Sequence, residues 1–158
     1  MSKIRPFLWY VREAEEAARF YVSIFPDAKI ERVTTLQSDT PSGPPGSVKV
    51  VDFTLFGQRF SAMSAGPRPD FNEAISLLVE CADQAEIDRY WDAILAGGGQ
   101  PQACGWIVDR FGVRWQITPK ALLDMIADPD PKRSKRASDA MMTMVKIDLA
   151  ALERAYRG

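Results

Sequence analysis

Residues Phe56-Gly57-Gln58-Arg59-Phe60 come back as Phe111-Gly112-Val113-Arg114-Trp115, an offset of 111 − 56 = 55. Upstream of each copy a second pair matches. Arg19-Phe20-Tyr21-x-x-Ile24 corresponds to Arg89-Tyr90-Trp91-x-x-Ile94, an offset of 89 − 19 = 70. The difference, 70 − 55 = 15, is about the length of the stretch Gln37 to Ser47, whose clustered Pro41, Gly43, Pro44, Pro45 and Gly46 read as a mobile loop absent from the second half. Two matches in the same order, with the length difference confined to a loop, make a duplication the better account. A solenoid needs at least three repeats to bury a continuous core, so two units must pair with each other.

Working outward from these anchors predicts the same run of elements twice. Ile4 to Val11 reads as a strand. Glu13, Glu15 and Glu16 then put negative charge on the first turn of a helix whose apolar stripe is Ala14, Ala17, Ala18, Tyr21, Ile24 and Phe25, stopped by Pro26. Strands follow at Lys29 to Thr35, Val48 to Leu55 and Gln58 to Ser64, the last two joined by the tight turn at Phe56-Gly57. In the second half a strand at Ala74 to Glu80 leads to a helix with Asp83 as N-cap and Glu86 three residues on, ended by Gly97-Gly98-Gly99. Strands are expected near Gln100 to Ala103, Gly105 to Asp109 and Val113 to Thr118. The fold class is α+β: two tandem βαβββ units, about 1–66 and 72–119 within a paired region 1–119, curved as half-barrels around a pocket. A C-terminal helical tail covers 120–158, with short helices at Ala121 to Ile126, Ser138 to Val145 and Asp148 to Tyr156. Its basic run, Lys132, Arg133, Lys135 and Arg136, reads as a solvated face beside an acidic turn. Met141, Met142 and Met144 read as packing against the sheet or a second subunit.

Composition narrows the chemistry. The chain has 158 residues, 46% of them hydrophobic, enough for a real core. Twenty Lys and Arg against 21 Asp and Glu leave no field to recruit nucleic acid or an acidic membrane surface, so neither is expected as a partner. No stretch approaches the roughly 18 apolar residues of a membrane span, and no basic region followed by an apolar segment opens the chain; a cytoplasmic location is expected. Cys81 and Cys104 lie outside any Cys-x-x-Cys motif and read as reduced thiols. The chain contains no histidine, which excludes a Ser-His-Asp triad, a Cys-His dyad and every metal site built on imidazole.

Two βαβββ units in tandem resemble the vicinal-oxygen-chelate superfamily, which includes glyoxalase I, bleomycin-resistance proteins and extradiol dioxygenases. Several segments resemble in particular its PhnB-like branch, whose members often carry the name 3-demethylubiquinone-9 3-methyltransferase. These are Pro6-Phe7-Leu8-Trp9, Glu15-Glu16-Ala17 before Phe20-Tyr21, Phe71-Asn72-Glu73-Ala74-Ile75-Ser76, Cys104-Gly105-Trp106, Asp109-Arg110-Phe111-Gly112, Trp115-Gln116-Ile117 and Lys146-Ile147-Asp148. The resemblance implies metal slots on the first and fourth strands of each unit, which fall at Pro6, Ser61, Ser76 and Gln116, with Ala74 an alternative to Ser76. None is a carboxylate, imidazole or thiolate, so no metal and no cofactor are expected.

Strand alternation assigns Phe7/Trp9, Phe60/Ala62, Ile75/Leu77/Val79 and Val113/Trp115/Ile117 to helix-packing faces. The opposite faces carry Tyr10, Ser61, Met63, Ser76 and Gln116, a few polar groups among apolar ones, as a small-molecule pocket requires. Asp52 alternates with Val50 and Val48 and is a further pocket candidate, as a base or as the partner of a cation, against an ordinary salt bridge. Arg59 and Arg114 follow tight turns and could jointly hold a carboxylate, or simply lie on the rim. Cys104 is a candidate reactive thiol, but no basic partner for it is visible and it reads as a buried thiol. The expected function is binding of a small organic ligand in a metal-free cleft by a homodimer. The alternative is a metal-independent enzyme using Asp52, Tyr10 or a bound cofactor. Methyl transfer in the common manner needs a Gly-rich loop running from strand to helix, whereas Gly97-Gly98-Gly99 runs from helix to strand.

Overall fold

Two successive runs of strands, each with a helix after its first strand, build the computed structural model, which describes residues 2–158 in two units, Met1–Asp70 and Phe71–Gly158. In the first, β1 (Phe7–Tyr10), α1 (Ala14–Ile24), β2 (Lys29–Thr35), β3 (Lys49–Leu55) and β4 (Gln58–Ser64) form a sheet of order β1-β4-β3-β2. β1 lies parallel to β4, and the other pairs are antiparallel. Ala14, Ala17 and Ala18 are fully buried, and their short side chains let α1 sit close to the sheet. Tyr21 reaches from the helix to Phe53, which stacks on Phe60 at 5.3 Å. At the hairpin, Leu55 faces Gln58 across Phe56 and Gly57, both with positive φ, the geometry a two-residue primed turn demands. Phe56 accepts that backbone with its ring packed 5.5 Å from Phe25. The Pro/Gly loop is irregular, as expected, but it is tied by a backbone pair between Thr40 and Gly43 and by Gly46 N–H donating to Leu36.

The second unit repeats this plan with β5 (Leu77–Cys81), α2 (Gln84–Ala96), β6 (Gln100–Pro101), β7 (Trp106–Val108) and β8 (Arg114–Pro119), in the order β5-β8-β7-β6. Asp83 caps α2 by accepting from the Glu86 N–H at 2.9 Å, and Glu86 returns a bond to Ala82 N–H, the expected capping box displaced by one residue at its outer end. Ile87, Trp91 and Ile94 pack with Ile107, Trp115 and Ile117 into the core. The closing turn differs from its counterpart. Asp109 N–H bonds Val113 across three residues, and the Asp109 carboxylate accepts from Phe111 N–H, Val113 N–H and the indole of Trp115.

The C-terminal helices belong to this second unit: α3 (Lys120–Ile126), α4 (Pro131–Met142) and α5 (Leu149–Arg157). α4 starts seven residues earlier than the sequence suggested (138 − 131 = 7). Asp130 caps it and Pro131 occupies the first turn, where a missing N–H costs nothing. The basic run therefore lies on a helix, with Lys132, Arg133 and Lys135 exposed as expected and Arg136 half-buried. Arg136 donates to the carbonyls of Ala155 and Tyr156, and Arg133 sits over the Tyr156 ring. Gln84 ties α2 to the tail through Ile147 and Leu149. Met142 is exposed, with its sulfur 3.7 Å from the thiol of Cys104, which is half-buried rather than buried as expected.

Candidate functional site

Side chains at paired positions of a ladder share a face, so the register decides which groups meet. In the first unit one row crosses all four strands: Arg32 on β2, Asp52 on β3, Ser61 on β4 and Phe7 on β1. The rows beside it carry Val50, Met63 and Trp9 on one side and Thr54 and Arg59 on the other. This is the face away from α1. Tyr10, expected here, lies on the opposite face, where its hydroxyl meets that of Tyr21 at 3.0 Å and both are fully buried. Phe7 and Trp9, expected against the helix, instead lie on the open face with Ser61 and Met63, and both are exposed.

Asp52 is the electrostatic centre of that face. Its residue is 8% exposed, and one carboxylate oxygen accepts from the fully buried Ser61 hydroxyl at 2.6 Å. The other accepts from Arg32 Nη2 at 2.7 Å and Nε at 3.2 Å, and Arg5 stands 3.7 Å away. Burial by itself would raise this carboxyl, but donation from Ser61 and Arg32 and the charges of Arg5 and Arg32 outweigh it and hold Asp52 below the usual aspartate range. Arg5, Arg32, Asp52, Thr54 and Arg59, with Glu31 at the edge, line an open cleft of about 440 Å³.

In the second unit the equivalent row is Trp106 on β7, Gln116 on β8 and Leu78 on β5, with Val108 and Arg114 in the next row. Gln116 donates to the Ser76 hydroxyl at 2.8 Å, so these two candidates are in contact. Arg114 is not a rim residue. It donates to the carbonyls of Phe71 and Gly112 and its side chain is 19% exposed, so it braces the turn.

Residues 2–118 match the 3-demethylubiquinone-9 3-methyltransferase family. The chain belongs to this family. A solved family relative, the PhnB protein of Bacillus cereus, is 32% identical over 75% of this chain and 99% of its own, with a TM-score of 0.64. The fold is shared more widely. Protein PA1353 from Pseudomonas aeruginosa is 21% identical, covers 73% of this chain and 95% of its own, and has a TM-score of 0.55. The fosfomycin resistance protein FosX from Mesorhizobium loti is 15% identical over 73% and 90%, with a TM-score of 0.53. The chain is thus a PhnB-like protein with the vicinal-oxygen-chelate fold. No curated protein matches it.

Metal chemistry in that superfamily can be tested against the donors present here. Within each unit, the ladder places Phe7 beside Ser61 and Leu78 beside Gln116, so the polar groups in reach are the Asp52 carboxylate, already bonded to Ser61 and Arg32, in the first unit and the Ser76 hydroxyl, bonded to Gln116, in the second. One carboxylate neutralised by arginine with a hydroxyl, or a hydroxyl with an amide, does not fit a divalent transition metal. Among the described residues no group of three His, Cys, Asp or Glu side chains is placed to hold a metal ion, and no helix is long and apolar enough to cross a membrane.

Proposed function

We propose that this PhnB-like family member binds a small organic molecule at the open face of its sheets, without a metal ion. The observation that carries the reading is the row Arg32–Asp52–Ser61–Phe7, an ion-paired, hydrogen-bonded polar centre in line with an exposed aromatic ring, whose Arg32 and Asp52 line a cleft of about 440 Å³. Small-molecule sites combine this volume with apolar walls and a few fixed polar groups. Binding is favoured over catalysis by the state of the two candidate bases. Asp52 is held ionised with both oxygens engaged, which makes it a weak base, and Tyr10 has its hydroxyl buried against Tyr21. Methyl transfer is not carried over from the family name, since Gly97 to Gly99 follow α2 and lead into β6. A cytoplasmic homodimer completes the reading, on the superfamily resemblance; a strictly monomeric sedimentation profile removes that part.

The test is a small-molecule screen by thermal shift and ligand-observed NMR on protein dialysed against EDTA, repeated with manganese or zinc added back. A ligand at one hundred times its dissociation constant stabilises by about 2.7 kcal/mol. For a chain of this length that is roughly 5–10 °C in melting temperature. Hits that persist in EDTA support the proposal. Hits that require the metal overturn it.

A further inference from the structure

The first unit's cleft contains more cationic groups than its own carboxylates can neutralise. Arg5, Arg32 and Arg59 line it with Asp52 and Glu31, which leaves 3 − 2 = 1 positive charge, and Glu31 is shared with Lys29 at 3.3 Å. Asp52 is buried, whereas the Arg32 side chain that it holds is 69% exposed, so the carboxylate orients a guanidinium whose remaining N–H groups face outward. Arg32 spends Nε and Nη2 on one oxygen of Asp52, which leaves Nη1 uncommitted. Arg59 is exposed and its guanidinium makes no hydrogen bond or ion pair among the described residues. It sits directly across from Thr54, whose hydroxyl-bearing side chain also lines the cleft. A planar fork of donors prefers a planar, bidentate acceptor, and one surplus charge matches a monoanion.

We propose that the cleft takes the carboxylate of a small organic acid, held by Arg32 and Arg59 with Arg5 behind them, while Asp52 acts as the positioning residue for Arg32. This deepens the preceding reading and rests on it: the ligand is an anion and its charged end lies in the first unit. Phe53 and Phe60, which also line the cleft, supply apolar wall for the hydrocarbon part.

The test is an NMR titration of the full chain, observing arginine Nε–H and backbone amide resonances, with benzoate, its neutral isostere benzamide, and inorganic phosphate as probes. Benzoate is expected to shift resonances of Arg5, Arg32 and Arg59 and to bind more tightly than benzamide. Arg59→Gln should weaken benzoate roughly tenfold, the loss of a single charge-assisted contact. That variant should melt like the parent, since Arg59 holds nothing else. Arg12→Gln, at the other end of β1, should leave the affinity unchanged. If benzamide binds as tightly as benzoate at these residues, indifferent to Arg59→Gln, the carboxylate inference fails while small-molecule binding survives. If phosphate binds there and benzoate does not, the site is one for inorganic anions and the inference also fails. If no probe shifts a cleft residue, the inference and the assignment of binding to this face fall together.

Discussion

Replacing Asp52 with alanine removes the acceptor of a hydroxyl that has nowhere else to turn. Ser61 is 0% exposed and donates to Asp52 at 2.6 Å. A buried polar group left unpaired costs about 1–3 kcal/mol. The lost bonds to Arg32 add little, because that side chain is 69% exposed and water replaces the carboxylate; roughly 0.5 kcal/mol is a fair allowance. Asp52→Ala should therefore lose about 2–3 kcal/mol, a drop of roughly 5–10 °C in melting temperature. The decisive comparison is the double variant Asp52→Ala/Ser61→Ala. Removing both partners of a buried bond leaves neither unsatisfied, so the double variant should be about 1–2 kcal/mol more stable than Asp52→Ala alone. Urea unfolding followed by tryptophan fluorescence measures all four corners of this cycle. If the two single losses simply add, Ser61 and Asp52 do not depend on each other, and the account of the open face as a preformed polar centre is wrong.

The same carboxylate makes a pH prediction: its value is depressed on folding, so its stabilisation is complete above about pH 4 and fades as pH falls through the lower folded value. The stability gap between parent and Asp52→Ala should close on acidification. Asp109→Ala strips the acceptor from two backbone N–H groups and the Trp115 indole, and should cost on the order of 4 kcal/mol in the same urea assay. Burial first, then the charges of Glu86 and Asp83, push the Cys81 thiol up to about 12, so a disulfide reagent at pH 8 should titrate only the half-buried Cys104 until urea is added. Gly105→Ala would put a Cβ 2.9 Å from Ile147 at φ +80° and should destabilise by roughly 2 kcal/mol or more in thermal unfolding.

Most of the fold could be read before any coordinates, because its signals are local. The stripe of the first helix, the Asp83 cap and the Phe56-Gly57 turn each depend on residues near one another in the chain, and each is where its spacing placed it. What failed was parity on β1. Phe7-Leu8-Trp9-Tyr10 is apolar throughout, so nothing in it distinguishes the two faces; only its register with β4 does. On β5 the face was read correctly, and only the position along it was shifted. Three residues, 11–13, join β1 to α1, while two, 82–83, join β5 to α2. The helices are thus offset by 70 but the ladder equivalents Phe7 and Leu78 by 78 − 7 = 71. One residue inverts every side chain of a strand, which moved Tyr10 off the open face and put Phe7 where Pro6 was expected; on β5 the parity held, and Leu78 rather than Ser76 pairs with Gln116 two residues along the same face. Ser61, Met63 and Gln116 escaped because β4 and β8 alternate clearly. Arg5 and Arg32 were missed as partners of Asp52 since ladder pairing between β2 and β3 leaves no trace in spacing. The start of α4 was hidden by two prolines that look like a break and act as a helix start.

The parallel pairing of β1 with β4 has a consequence for how the chain is made. Phe7 finds its neighbour Ser61 only after 61 − 7 = 54 further residues have been added. At synthesis rates of about 5–20 residues per second, the first strand waits for roughly 3–11 seconds with its aromatic residues unpaired. The hairpin of β3 and β4 can close early, but the strand that leads the chain is the last to join its sheet. Nascent chains paused before residue 61 should accordingly be the most prone to capture by chaperones or by one another, and synonymous changes that slow translation through β3 would lengthen that exposure without altering a single side chain.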